Sequence, residues 1–331
     1  MIEPPDVTFV IAAYNSAGTI RHAIESALAQ RHVSIEVVVV DDASSDDTRE
    51  VVGDLADTRL TLIALERNTG PGGARNAGLE AARGRWIAIL DSDDTVEPDR
   101  LARMIARAEK ADAQIVVDNL DVVSGDGSRQ RMFSESDLAR QSQLTLPAFI
   151  ASNALFRSEH NYGYMKPVFL RGFLQQHALR FDETLRIGED YILLASALAR
   201  GGRCVVEPTA GYIYNVRDGS ISRVLRKDHV EAMLVSDQRF LMDNRLDSAA
   251  QAAQRVRTHS LREARSFLDL VEHLKRGALL RALRTAISDP AAVRHLRMPI
   301  EARLRRLIGR PARAIKQSDR SPGKRPHTSK G

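Results

Sequence analysis

The first hundred residues alternate between short apolar runs and segments whose apolar residues recur at helical spacing. Apolar runs occupy 7–13, 35–40, 60–65 and 86–90, and helical patterns lie between them, as at 20–30. Each run is apolar at consecutive positions, which is typical of strands buried on both faces of a parallel sheet. The alternation predicts an α/β chain with a mostly parallel central sheet and helices on both faces.

Polar residues cluster where these runs end. Tyr14 and Asn15 follow the first run, Asp41 and Asp42 the second, and three carboxylates lie within 91–94 after the fourth. The carboxyl ends of parallel strands meet at one edge of a sheet, where open α/β sheets place their ligands. Clustered carboxylates lie in water or hold a cation, so 91–94 is a candidate cation site. The alternative is a solvated turn in which Asp94 or Thr95 caps the next helix.

A glycine-rich loop at 68–73 follows the third run. It matches neither the Walker pattern nor Gly-x-Gly-x-x-Gly, so by itself it indicates only a tight turn. Arg75 lies on the first turn of the helix that follows, where a guanidinium could reach a diphosphate.

Five segments in this order and spacing carry a resemblance to a known family. They are VIAAYN at 10–15, VVVDDASSD at 38–46, NTG at 68–70, ARNAG at 74–78 and LDSDD at 90–94. With them, residues 7–100 closely resemble the nucleotide-sugar-binding half of the family 2 glycosyltransferases. The resemblance implies the GT-A fold, a Rossmann-like nucleotide-diphospho-sugar transferase fold.

The resemblance also implies roles for individual residues on the donor side. Asp41 would accept a hydrogen bond from a uracil N–H, Arg75 would approach the base or the phosphates, and Asp91 would lie near the ribose. Contacts to the base and ribose would come from Ala13, Tyr14 and Asn15.

Asp93 would bind a divalent cation, Mg²⁺ or Mn²⁺, with Asp94 second to it. A hard cation bridging carboxylate and diphosphate oxygens neutralises charge on departing UDP. Asp42 has an open alternative, which is to cap the helix after Ser45.

The second half of the chain resembles the acceptor side of the same family over 166–171 and 188–191. The resemblance assigns the catalytic base to Asp190, with Glu189 as the neighbour most easily confused with it. Inversion requires one carboxylate opposite the leaving group to take the proton of the acceptor hydroxyl. Asp190 could also be the N-cap of a helix over 191–199. In the loop 217–223, Ser220 and Ser222 would bind the donor diphosphate, or the loop is an ordinary polar one.

The charge of the chain divides unevenly. Residues 1–222 contain 23 Lys and Arg against 32 Asp and Glu, whereas 223–331 contain 25 against 11. We expect a catalytic domain at 1–222, with a nucleotide-sugar half at 1–110 and an acceptor half at 111–222. A basic helical extension would follow at 223–310, and a disordered tail at 311–331. An apolar stripe within 300–308, flanked by arginines, predicts a basic amphipathic helix that binds an anionic membrane surface or packs on the catalytic domain.

Composition limits the compartment and the partners. Cys204 is the only cysteine, which suits a reducing cytoplasm. Apolar runs are too short to span a bilayer, and the start of the chain is unlike a signal peptide. We therefore expect a cytoplasmic protein, peripheral on the inner face of the cytoplasmic membrane. Nucleic acid is not an expected partner, because no aromatic platform or known motif accompanies the basic residues.

The combined pattern is most similar to bacterial exopolysaccharide transferases of the succinoglycan type. This implies an inverting, metal-dependent hexosyltransferase that moves glucose from a UDP-sugar to a polyprenyl-diphosphate-linked saccharide. One alternative is a nucleotidyltransferase, but residues 14–18 replace the basic activation loop such enzymes carry after the first strand. The other is a non-catalytic sugar-nucleotide-binding protein, which the presence of Asp93 and Asp190 disfavours.

Overall fold

A computed structural model describes residues 3–157, 161–216 and 225–297. In these ranges the strands are β1 Val7–Ala13, β2 Ile35–Asp41, β3 Leu60–Ala64, β4 Trp86–Ile89, β5 Thr95–Val96, β6 Ile115–Val123, β7 Arg129–Arg131, β8 Val168–Leu170 and β9 Cys204–Asn215. The helices are α1 Ile20–Leu28, α2 Thr48–Gly53, α3 Gly70–Ala81, α4 Arg100–Lys110, α5 Glu135–Arg140, α6 Leu146–Ser152, α7 Arg171–Gln176, α8 Glu189–Ala199, α9 Lys227–Asp243, α10 Ser248–Lys275, α11 Leu279–Ser288 and α12 Pro290–Arg294.

One sheet organises the fold, with its strands in the order β3-β2-β1-β4-β8-β6-β9-β5 and β7 beside β6. The first four strands are parallel, as the apolar runs predict, and β1 and β2 are almost entirely buried. Beyond β4 the sheet is mixed, because β8 and β5 run antiparallel to their neighbours. The α/β class is confirmed, and the parallel half places the ends of β1, β2 and β4 at one edge.

The sequence segments 203–206 and 211–216 predict two separate strands, but the structure has a single strand there, β9. It is one strand of twelve residues that runs parallel to β6, with register shifts around Asn119. The Asn119 side chain donates to the carbonyl of Pro208 at 3.1 Å, which satisfies the backbone where the two strands lose register. The local sequence Glu207-Pro208-Thr209 is typical of a turn. In the structure, an irregularity of the bulge type at this point keeps β9 continuous.

The C-terminal helices share the hydrophobic core of the sheet. Val230 of α9 and Leu261 and Ala264 of α10 are fully buried in the same cluster as the central strands. Arg257 of α10 is buried as well. It donates to Asp237 on α9 at 3.0 Å and to the carbonyl of Asn153, after α6, at 2.9 Å.

The guanidinium of Arg257 also lies 3.6 Å from the ring centroid of Tyr191 on α8. One buried cation thus joins α10 to α6, α8 and α9.

Three sequence predictions fall outside the described residues. They are the loop 217–223, the apolar stripe within 300–308 and the tail at 311–331. Among the helices that the structure describes, none has the length and apolar character needed to cross a membrane.

Candidate active site

The ends of β1 and β2 lie at the sheet edge that holds the candidate site, and we call this region the cleft. Ala13 is buried and pairs in register with Asp41, while the side chain of Tyr14 is about half exposed (51%). Asn15 has a positive φ of 51° and accepts hydrogen bonds from the backbone N–H and hydroxyl of Ser45. The structure therefore brings Ala13, Tyr14, Asn15 and Asp41 together.

Asp41 is fully buried, and its two carboxylate oxygens differ. Oδ2 accepts from Nε of Arg49 at 2.5 Å and from the backbone N–H of Ser44 at 3.2 Å. Oδ1 is buried and has no hydrogen-bond partner in the described part of the chain. A buried acceptor without a donor is costly, so Oδ1 is well suited to receive an N–H from a ligand.

Asp42 has a structural role at the start of α3. Its carboxylate accepts from the backbone N–H groups of Thr69 at 2.7 Å and Gly70 at 2.9 Å, where α3 begins. The open alternative, that Asp42 caps the helix after Ser45, is wrong, because Asp46 accepts from the backbone N–H of Thr48 there. Asp42 instead fixes the glycine-rich loop against the end of β2.

The carboxylates at 91–94 lie between β4 and β5 and have different surroundings. Asp94 is buried, and its oxygens accept from the Tyr212 hydroxyl at 2.7 Å and the Asn215 backbone N–H at 2.8 Å. Burial, together with Asp91 and Asp93, raises the pKa of Asp94 well above its usual range. These contacts make Asp94 a residue that anchors the segment to β9 and disfavour it as a second cation ligand.

Neither Asp94 nor Thr95 caps the next helix, contrary to the sequence alternative. Thr95 lies in β5, and α4 begins only at Arg100 with Asp99 before it.

Asp93 is partly exposed, and its main-chain carbonyl accepts from the Asn215 side chain at 3.0 Å. Among the described residues, no three His, Cys, Asp or Glu side chains group closely enough to hold a metal on their own. Mg²⁺ is commonly held by one or two carboxylates together with substrate phosphates and water. The donor set at Asp93 thus fits a cation that a diphosphate helps to bind.

Five charged side chains from distant parts of the chain meet at the centre of the cleft. Nζ of Lys166 lies 2.8 Å from a carboxylate oxygen of Asp91 and 2.8 Å from one of Asp190. Arg75 contacts Asp91 at 2.7 Å, Glu189 at 2.5 Å and Asp190 at 3.1 Å. We call these five residues the charged cluster. It joins the end of β4 directly to the start of α8.

Opposite charges in the cluster stabilise the ionised forms of Lys166, Asp91 and Arg75. Burial alone would lower the pKa of Lys166, but Asp190 and Asp91 raise it above its usual range. Burial would likewise raise the pKa of Asp91, but Lys166 and Arg75 hold it well below the usual range. Burial and the neighbouring Asp190 raise the pKa of Glu189. Asp91, Lys166 and Arg75 are therefore charged at neutral pH.

Asp190 lies inside the first turn of α8. The helix begins at Glu189, and the N-cap position is held by Gly188 with a φ of 91°. The alternative that Asp190 is itself the N-cap is wrong for this reason. The first turn has unpaired backbone N–H groups and a favourable dipole for carboxylates, so both acidic side chains suit this place.

The remaining predicted donor contacts, Ser220 and Ser222, lie outside the described residues. Conversely, sequence reasoning gave no role to Lys166, Tyr212 or Asn215. A single lysine before a proline carries no spacing pattern, and Tyr212 and Asn215 depend on the course of β9. Only the long-range pairing of the chain brings them to the cleft.

Residues 8–173 match the model of the family described as Glycosyl transferase family 2. The chain belongs to this family. It is a hexosyltransferase, and the resemblance stated from five short segments is confirmed.

Two curated proteins show how the relationship extends. The chain is 69% identical over 306 residues, 92% of its length and 88% of the relative's, to the succinoglycan biosynthesis protein ExoO of Rhizobium meliloti (strain 1021). A shorter match, 46% identical over 88 residues, covers 27% of this chain and 35% of WfaP of Escherichia coli. That protein is named UDP-Glc:alpha-D-GlcNAc-diphosphoundecaprenol beta-1,3-glucosyltransferase.

Among solved structures, S. aureus TarS 1–349 in complex with UDP-GlcNAc is similar, with a TM-score of 0.61 and 23% identity. The match covers 77% of this chain and 71% of TarS. It confirms the GT-A fold.

Proposed function

We propose that this family 2 enzyme transfers glucose, with inversion, from UDP-glucose to a saccharide carried on polyprenyl diphosphate in exopolysaccharide biosynthesis. The biosynthetic setting follows from the high identity to ExoO over nearly the whole chain. The donor, glucose and the lipid-linked acceptor follow from the name of WfaP, which matches only part of the chain.

One observation carries the mechanism. Lys166 contacts both Asp91, at the end of β4, and Asp190, at the start of α8. A donor held near Asp91 and an acceptor held near Asp190 would therefore meet at adjacent positions. In this proposal Asp190 is the base, and Lys166 and Arg75 orient its carboxylate.

The donor is recognised from its uracil to its diphosphate. Ala13, Tyr14 and Asn15 would contact the base and ribose, and Oδ1 of Asp41 would accept the uracil N–H. Arg75 and Asp91 would lie along the ribose and phosphates. Ser220 and Ser222 complete the proposed set of donor contacts.

The reaction needs one proton transfer and one displacement. Asp190 accepts the proton of the acceptor hydroxyl, and the acceptor oxygen forms a bond to the anomeric carbon. The bond from that carbon to the diphosphate oxygen breaks on the opposite side, and its electron pair leaves with UDP. Asp93 would hold Mg²⁺ or Mn²⁺, which would neutralise the charge that develops on the diphosphate.

The proposed setting is cytoplasmic, with the protein peripheral on the inner face of the cytoplasmic membrane. The partners are the UDP-sugar, the lipid-linked saccharide and the anionic membrane surface, without nucleic acid. The proposed domains are a catalytic domain at 1–222, a basic helical extension at 223–310 and a tail at 311–331.

Asp190→Asn tests the mechanism. We expect transfer to fall by at least about 10²-fold, the usual scale for a general base, while affinity for UDP-glucose is kept. Transfer is measured as UDP release with a lipid-linked acceptor, and affinity by calorimetry. The glycosidic proton of the product, observed by NMR, should show the anomeric configuration opposite to that of the donor.

Glu189→Gln separates the two neighbouring carboxylates, and we expect it to lose much less transfer than Asp190→Asn. Near-normal transfer by Asp190→Asn would move the base elsewhere, first to Glu189. A product that keeps the donor configuration would overturn the inverting mechanism altogether.

A further inference from the structure

Helix α11 leaves a large apolar face without cover in the described part of the chain. The exposed fractions are 69% for Leu279, 85% for Leu280, 58% for Leu283 and 71% for Ile287. The opposite side of the helix is anchored, because Ala282 is buried. Single exposed leucines are ordinary, but four large apolar side chains on one short helix are not.

These side chains form one continuous surface. Leu279, Leu283 and Ile287 are spaced by four residues, and Leu280 precedes Leu283 by three and Ile287 by seven. Such spacings place the side chains in adjacent rows of one helical face. We call this surface the α11 face.

Basic residues predominate in the sequence on and beside α11. Between 275 and 297 the chain contains six Lys and Arg and a single acidic residue, Asp289. Arg281 and Arg284 lie on α11 itself and are exposed. An apolar face bordered by arginines is complementary to an anionic lipid surface, where the side chains enter the headgroup region and the cations meet phosphates.

Charge also disfavours the other occupants of this surface. The segment 298–331 contains ten Lys and Arg against two acidic residues, so it would place like charge beside Arg281 and Arg284. A second copy of the chain would present the same arginines to each other across an isologous contact. An anionic bilayer is the occupant that the charges favour.

We propose that the α11 face is the docking surface of this enzyme on an anionic membrane, through Leu279, Leu280, Leu283 and Ile287 with Arg281 and Arg284. The inference rests on the proposed function in one respect, since a lipid-linked acceptor gives the docking its purpose. A helix of ten residues with four apolar side chains gives reversible binding rather than insertion.

The experiment is co-sedimentation of the full chain with vesicles. Wild type binds vesicles of phosphatidylcholine with phosphatidylglycerol, binds phosphatidylcholine alone much less, and releases as salt is raised. Leu280→Glu with Leu283→Glu lowers the partition onto anionic vesicles by at least about tenfold, because two leucines that would enter the headgroup region are replaced by charged side chains. Leu241→Glu with Met242→Glu changes charge equally at exposed positions on α9 and leaves binding unchanged.

A second variant, Arg281→Glu with Arg284→Glu, keeps the apolar side chains and removes only the attraction to anionic lipid. This variant should no longer bind vesicles that contain phosphatidylglycerol better than vesicles of phosphatidylcholine alone. UDP-glucose affinity of every variant is measured as a test of folding.

Two results overturn the docking surface. One is wild type that does not bind anionic vesicles at low salt, and the other is a Leu280→Glu/Leu283→Glu variant that binds like wild type. In the second case, an altered sedimentation coefficient of the variant assigns the face to self-association.

A protein that transfers sugar to a water-soluble acceptor yet ignores vesicles keeps the proposed function and loses the docking surface. A protein that binds vesicles but transfers no sugar keeps the docking surface and loses the proposed function.

Discussion

At the scale of single residues, Asp41 shows how a buried carboxylate can be prepared for one ligand. Arg49 neutralises it and occupies Oδ2, which leaves Oδ1 as the acceptor that a ligand can use. Uracil offers an N–H at the ring position where cytosine has only an acceptor. The pairing of Arg49 with Asp41 would therefore favour a uridine nucleotide.

Asp41→Asn tests this recognition. We expect UDP affinity to fall by roughly tenfold, because the variant loses a charged acceptor worth about 1.5 kcal/mol. Preference for UDP over CDP should narrow as well. Calorimetry measures both, with Asp47→Asn, an exposed residue before α2, as the matched control. An unchanged preference would place base recognition on other groups.

Asp93 gives a second residue-scale prediction. Transfer should stop in excess chelator and return with Mg²⁺ or Mn²⁺, because one carboxylate cannot neutralise a diphosphate leaving group. Asp93→Ala should bind UDP with little response to added metal, whereas Asp54→Ala, at an exposed position, should respond like wild type. Full turnover in chelator would show that the enzyme works without a divalent cation.

Much of the cleft could be predicted from local sequence because its residues follow strand ends. Asp41 and Asp91 directly follow recognisable apolar runs. Arg75 follows a glycine-rich segment that was expected as a loop, but the structure places that segment from Gly70 onward in the first turn of α3. Lys166 could not be predicted, since it reaches Asp91 across 75 residues and no short pattern encodes that distance. The anchoring contacts of Asp94 could not be predicted for the same reason, because its partners Tyr212 and Asn215 lie on β9.

At the scale of elements, the start of α8 is fixed from two sides. The charged cluster holds its first turn, and Arg257 lies against Tyr191, one residue after Asp190. Arg257 is in turn paired with Asp237 on α9. The helices after residue 225 therefore help to position the start of α8.

Arg257→Met should lower the free energy of unfolding by about 3 kcal/mol, because it leaves Asp237 buried without its cation. Where the variant folds, we expect transfer to fall more than UDP affinity, since α8 rather than the donor pocket is released. Arg262→Met changes an exposed arginine on the same helix and serves as the control. Equal losses of transfer and UDP affinity would argue for a general loss of structure.

The bounds of the strands in the nucleotide half lie close to those that the sequence predicts. The predicted run 7–13 is β1, and 35–40 differs from β2 by one residue. These elements are strongly apolar and locally encoded. By contrast, β9 was expected as two strands, because pairing with β6 over its full length overrides the local turn residues.

At the scale of the whole molecule, the acidic and basic parts of the sequence are not separate bodies as far as residue 297. Helices α9 and α10 complete the core beneath the sheet, and α11 packs along α10. A membrane bound at the α11 face would consequently meet the cleft at a set orientation. The charge difference between the two parts then lies within one packed core.

The buried contacts of Arg257 bear on the construction of chimeric transferases. A chimera that exchanges the C-terminal helices between relatives has to respect these contacts. A crossover point between Tyr191 and Arg257 would take two contacting residues from different parents, and one between Asp237 and Arg257 would leave a buried charge unpaired wherever the other parent lacks its partner. A crossover point before Asn153 would take all four contacting residues from the same parent, namely Asn153, Tyr191, Asp237 and Arg257.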